Sequence, residues 1–110
     1  TERPWGYYRV LHEVGPGIKL KELTVNPGES LSMQRHFHRN EFWFVAQGVA
    51  TLHSCTETKH FVEHDYIFIK KEEWHQLCNK HESPLKVIEI QYGDKCIEED
   101  IERKQLLSST

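Results

Sequence analysis

At 110 residues the chain is long enough for one domain with its own hydrophobic core and too short for two ordinary ones. A net charge of -3 with histidine neutral, and Lys and Arg scattered among Asp and Glu, leave no basic face, which argues against a nucleic-acid partner. Apolar runs are too short to span a bilayer and no signal-peptide pattern opens the sequence. The three cysteines, Cys55, Cys78 and Cys96, are widely spaced with no C-x-x-C pair, so the expected setting is reduced and cytoplasmic.

Taken in order, the chain reads as short strands. Tyr7 to Val14 ends at the Gly15-Pro16-Gly17 break, and Ile18 to Val25 ends at Asn26-Pro27-Gly28, a turn signal with Pro and Gly where their backbone preferences help. Further strands follow over 31–38, 41–47, 49–55, 59–63, 66–70, 74–79 and 85–92, with turns between them. Such frequent short strands joined by tight turns indicate an all-β sandwich or barrel, one domain over 1–110. Ile97, Ile101 and Leu106 or Leu107 recur at near-helical spacing in a charged background, which predicts a short amphipathic helix or an ordered tail over 97–107.

The chemistry concentrates in one stretch. Gln34, His36 and His38 alternate, and alternate residues of an extended strand share a face. A turn at Arg39-Asn40 would return Glu41 beside them, and His75 arrives from a later strand. Leu31, Met33 and the run Phe42-Trp43-Phe44-Val45 flank this group, and polar side chains in apolar surroundings need hydrogen bonds or a metal to offset desolvation. Imidazoles plus a carboxylate suit a divalent Zn, Mn, Fe, Co or Ni ion. His12, His53, His60, His64 and His81 read as surface residues.

Gly28, His36, Glu41 and Gly48 resemble the first signature of the cupins, and the stretch ending His75-Gln76-Leu77-Cys78-Asn79 resembles the second. More narrowly, the chain resembles the C-terminal cupin of type II mannose-6-phosphate isomerases. The matching pieces are Arg3-Pro4-Trp5-Gly6, 27–32, Gln34 to Trp43, Ile88-Glu89-Ile90-Gln91 with Gly93, and Glu99-Asp100-Ile101 with Arg103. The resemblance implies a double-stranded β-helix (jelly-roll) barrel and a metal-dependent interconversion of mannose 6-phosphate and fructose 6-phosphate in polysaccharide biosynthesis. It implies isomerase rather than guanylyltransferase activity, because the matching stretch is the cupin part alone. Cupins are commonly dimers, so a homodimer is expected, with Arg3 to Val14 as a segment that could pair across subunits.

Three ligands follow, His36, Glu41 and His75; the fourth is His38 by donor strength or Gln34 by motif register, since type I isomerases use a Gln-x-His pair. Glu89 and Gln91 share one face of their strand, which alternation assigns either to the cavity or to water; facing the cavity, Glu89 would shuttle the proton and Gln91 would meet a sugar hydroxyl. Arg39, in the turn after the ligand pair, is the candidate cation for the sugar's phosphate. Trp5, Trp43 and Trp74 read as core or interface residues, with Trp74 facing away from the metal. Two departures stand out. Lys70-Lys71-Glu72 replaces the cupin Pro-x-Gly before His75, and Phe42 stands where the family often has histidine near the site. The alternatives are a non-haem iron oxygenase, which also uses two histidines and a carboxylate, and a non-catalytic sugar-binding cupin.

Overall fold

The alternating sequence pattern becomes strand almost wherever it occurs. A computed structural model of the protein describes residues 1–104. In chain order the strands are β1 (Glu2–Arg3), β2 (Gly6–Val14), β3 (Ile18–Val25), β4 (Met33–Arg35), β5 (Arg39–Gln47), β6 (Ala50–His53), β7 (Thr58–Phe61), β8 (Tyr66–Ile69), β9 (Gln76–Cys78), β10 (Leu85–Gly93) and β11 (Glu102–Lys104). One layer is a six-stranded sheet in the order β1-β2-β3-β10-β5-β8. The other is built from the three-stranded sheet β7-β6-β9 and the pair β11-β4. Backbone bonds of 2.9 Å in both directions between Gln34 and His75, and from Leu31 N–H to the Leu77 carbonyl, fasten the β4 segment to the β9 segment. All the pairings are antiparallel.

The turn at Asn26-Pro27-Gly28 forms as expected. Gly28 has φ +78° and the Glu29 N–H donates to the Asn26 carbonyl at 3.1 Å, so Pro and Gly occupy the second and third positions of a type II turn. Register then sets the interior. Val87 lies between Leu23 and Val45, Glu89 between Lys21 and Trp43, and Gln91 between Lys19 and Glu41. The inward face of β3, β10 and β5 is therefore apolar at one end and polar at the other. Val25, Val45, Leu77, Leu85 and Val87 pack the apolar end, fully buried.

Two expectations fail. No helix forms over 97–104; the segment turns, with Asp100 N–H on the Ile97 carbonyl at 3.2 Å, and ends in β11. Its carbonyls are spent on side chains elsewhere: the Ile97 carbonyl accepts from Arg39 Nη1 at 3.1 Å, and the Asp100 carbonyl meets His36 Nδ1 at 2.7 Å. The ordered-tail alternative describes 97–104, while Leu106 and Leu107 lie outside the described residues. The second failure is the strand expected over 31–38, which stops at Arg35. The Asp100 carboxylate accepts the N–H groups of Phe37 and His38, both at 2.9 Å, and pulls the chain out of the extended path.

Among the described residues no helix is long and apolar enough to cross a membrane.

Candidate metal centre

His36, Glu41 and His75 reach one point from three places in the chain. His36 follows β4, Glu41 sits on β5 and His75 precedes β9. One ligand atom from each lies within 4.8 Å of the others, and all three residues are buried. His36 Nε2 is 3.2 Å from Glu41 Oε2, and His75 Nε2 is 3.8 Å from Glu41 Oε1.

Both imidazoles are held so that the same nitrogen faces inward. His36 Nδ1 donates to the Asp100 carbonyl at 2.7 Å and His75 Nδ1 to the Glu73 carbonyl at 2.9 Å. Each Nδ1 therefore carries the hydrogen, and each Nε2 presents a lone pair to the cluster, the outer arrangement that orients metal-binding histidines. Burial, then the neighbouring Arg39 charge, lowers the His36 pKa to about 4; burial also lowers that of His75. Neutral imidazoles are the form that binds a cation. Among the described residues His75 Nε2 is buried with no hydrogen-bond partner. A buried, unsatisfied acceptor costs free energy, and a cation would satisfy it, so the donor set fits a divalent metal.

Arg39 is not in a solvated turn. It is buried, with Nε donating to Glu41 Oε2 at 2.9 Å and Nη2 3.3 Å from His36 Nε2. Burial works against its charge, yet Glu41 and Glu89 raise its pKa overall. Its fork is turned to the cluster and to the Ile97 carbonyl rather than out to solvent, while the residue lines the same cavity as His36. The expectation for His38 is corrected. Because β4 ends before it, its ring is half-exposed and meets Asp94 at 3.1 Å instead of joining His36. Gln34 keeps its place on β4 and lines the same cavity as His36.

That cavity has a volume of about 280 Å³ and is also lined by Lys21, Glu41, Trp43, Glu89 and Gln91, with exposed Arg3 and Arg103 at its mouth. Glu89 and Gln91 therefore face inward, and both are buried. Trp43 Nε1 donates to Glu41 Oε1 at 3.0 Å and to Glu89 Oε2 at 3.1 Å, while Gln91 Nε2 donates to Glu89 Oε1 at 3.0 Å. Burial and the adjacent Glu41 carboxylate push the Glu89 pKa up to about 8. Gln91 Oε1 is buried without a partner among the described residues.

Several site residues escape sequence reading. Lys21 is buried on β3, with Nζ 2.7 Å from Glu98 Oε2 and above the Tyr8 ring at 4.2 Å from its centroid. Its only signal was its place on the inward face, visible once register is known. Asp100 and Glu98 come from the segment that reads as a helix. The two departures also resolve. Phe42 alternates with Glu41 and Trp43, so it points outward, where it stacks on Tyr66 at 5.5 Å; the family histidine there is not replaced inside the site. At Lys70-Lys71-Glu72 a turn still forms: Glu73 N–H donates to the Lys70 carbonyl at 3.1 Å, with Glu72 at φ +67° where glycine would be relaxed. Trp74 points away, under Arg35 at 4.7 Å.

The profile of the family described as mannose-6-phosphate isomerase C-terminal matches residues 1–105. The alginate biosynthesis protein AlgA of Pseudomonas aeruginosa is 39% identical over 101 residues, which is 92% of this chain and 21% of that protein. A mannose-1-phosphate guanylyltransferase of Salmonella muenchen matches with the same identity and shares. The chain thus spans about a fifth of the length of these relatives. Among solved structures, a Klebsiella pneumoniae protein with a double-stranded β-helix domain superposes with a TM-score of 0.77 at 18% identity, covering 91% of this chain and 84% of that one. A cupin-superfamily sugar phosphate isomerase from Silicibacter pomeroyi gives 0.66 at 16% identity, over 84% and 70%.

Proposed function

The chain belongs to the family of mannose-6-phosphate isomerase C-terminal domains, and from that premise we propose that it is a metal-dependent sugar-phosphate isomerase interconverting mannose 6-phosphate and fructose 6-phosphate. The observation that carries this reading is the unpartnered, buried Nε2 of His75 beside Glu41 and the inward-facing Nε2 of His36. His36, Glu41 and His75 would hold the cation, with Gln34 as the fourth ligand. A divalent metal supplies Lewis acidity for the sugar carbonyl and for the oxyanion that develops as the proton moves between C1 and C2.

The chain's own residues supply the rest. Glu89, oriented by Trp43 and Gln91, would move the proton. Gln91 Oε1, which lacks a partner, would accept a sugar hydroxyl. Arg3 and Arg103 at the cavity mouth would meet the phosphate, a role their exposed guanidinium groups suit.

The test is conversion of mannose 6-phosphate to fructose 6-phosphate by the purified, metal-loaded protein, before and after chelation. Turnover abolished by chelator and restored by one divalent metal is expected; binding without turnover would reassign the site to a sugar-binding role. The two-histidine, one-carboxylate set also favours a second reading, a non-haem iron oxygenase. Oxygen uptake by the Fe(II)-loaded protein would select it, and anaerobic turnover with zinc would exclude it.

We also propose a homodimer. The outward face of β5, β8 and β10 carries Phe42, Phe44, Tyr66, Phe68 and Tyr92, an apolar surface of the kind that marks an interface, and the edge of β2 offers a second. Sedimentation showing only monomer removes this proposal.

A further inference from the structure

Three lone pairs converge at the centre, and in this structure a side chain of the protein already holds two of them. Arg39 Nε donates to Glu41 Oε2 at 2.9 Å, and Nη2 reaches His36 Nε2 at 3.3 Å. The third arm, Nη1, is anchored on the Ile97 carbonyl at 3.1 Å. Among the described residues, His75 Nε2 alone of the inward-facing ligand atoms of His36, Glu41 and His75 has no partner. A guanidinium is planar with donors at fixed angles and stays charged at any physiological pH, so this fork satisfies a buried carboxylate and a buried imidazole together.

We infer that Arg39 is an internal stand-in for the cation: it occupies the Glu41 and His36 lone pairs when no metal is bound and must yield them when one enters. The inference rests on the metal reading above and adds a control on it. A positive charge this close to the incoming ion opposes binding, while the same charge stabilises the metal-free fold by neutralising Glu41. Arg39 therefore makes the empty site stable and the loaded site weaker than its ligands alone would give. Released from Glu41 and His36, the guanidinium would turn within the cavity that it already lines together with Gln91 and Glu89.

The experiment compares wild type with Arg39→Gln, which removes the charge and keeps one donor. Zinc or cobalt(II) affinity is measured by isothermal titration, and thermal midpoints are taken in chelator and at saturating metal. Arg39→Gln is expected to bind the cation roughly ten- to a hundredfold more tightly, as removal of an adjacent like charge predicts. It is also expected to melt below wild type in chelator, with the gap closing once metal is bound.

Should Arg39→Gln fold only with metal present, the wild-type protein carries the test. The Arg39 Nε–H resonance, assigned by its loss in Arg39→Lys, should be protected in chelator and shift on adding cation. Equal or weaker binding by Arg39→Gln, or an Nε–H signal that ignores the cation, overturns the inference and leaves the metal site intact. A wild-type protein that binds no cation at all defeats both.

Discussion

The two ends of the barrel interior are built from the same strands and obey opposite rules. At one end β3, β10 and β5 send in Val25, Leu85, Val87 and Val45, which need nothing but close packing. A few residues further along the same strands they send in Lys21, Glu89, Gln91 and Glu41, each of which must be hydrogen-bonded or charged against a neighbour. The first end supplies stability. The second consumes it, because every buried polar group there loses water and regains only part of that loss from partners. The lesson is that one continuous alternation can change purpose midway: strand period sets which way side chains point, and residue chemistry alone decides whether that direction means core or site.

The largest expected effect lies at the apolar end. Leu85→Ala should cost about 2–5 kcal/mol by cavity formation, measured by urea unfolding, while leaving metal stoichiometry unchanged. Loss of metal in that variant would break the separation between the ends.

The polar end should instead reveal itself through pH, in chelator. Glu89 is raised from an ordinary 4.5 to about 8, so the folded protein holds a proton that the unfolded chain releases, and stability is lost as pH rises across that window. His36 works the other way: lowered from 6.5 to about 4, it withdraws stability as pH falls across its own window. Below pH 6.5 the Glu89 slope is opposed by those of His36 and of His75, whose pKa burial also lowers, so no net fall is expected there. Above pH 6.5 Glu89 acts alone, and stability should fall by about 1.4 kcal/mol per unit towards pH 8. Glu89→Gln should remove the alkaline fall, and an unchanged profile would show that the carboxyl is not buried as described.

Smallest is the strained turn before His75. Glu72 sits at φ +67°, and Glu72→Gly should raise stability by roughly 0.5–1 kcal/mol while the bond from residue 72 N–H to the His36 carbonyl persists. A destabilised variant would mean that the side chain does something beyond bearing strain.

Most of the strands were legible because alternation and turn residues are local: Pro27-Gly28 marks its turn as clearly in sequence as in space. The grouping of His36, Glu41 and His75 was legible because a motif spacing links them, and the structure brings the three together. What failed was long-range. His38 was assigned to the site by continuing a strand that Asp100, 62 residues away, brings to an end. The helix over 97–107 was read from periodicity, with no way to see that Arg39 and His36 claim its carbonyls. Arg39 was read as part of a turn with Asn40, yet both residues open β5, and the chain at His38 and Arg39 is packed so closely against Gly93 that a side chain at position 93 would clash with the His38 carbonyl. Lys21 gave no local signal, since only the pairing of β3 with β10 reveals its partner row.

A single divalent ion shared by His36, Glu41 and His75 is the premise of the proposed chemistry. Elemental analysis of the purified protein beside a folded His75→Ala variant tests this most directly. About one transition-metal equivalent per chain is expected in the first and none retained after dialysis in the second. A metal-free wild type that stays empty after incubation with zinc, or a His75→Ala variant that keeps its metal, would contradict it.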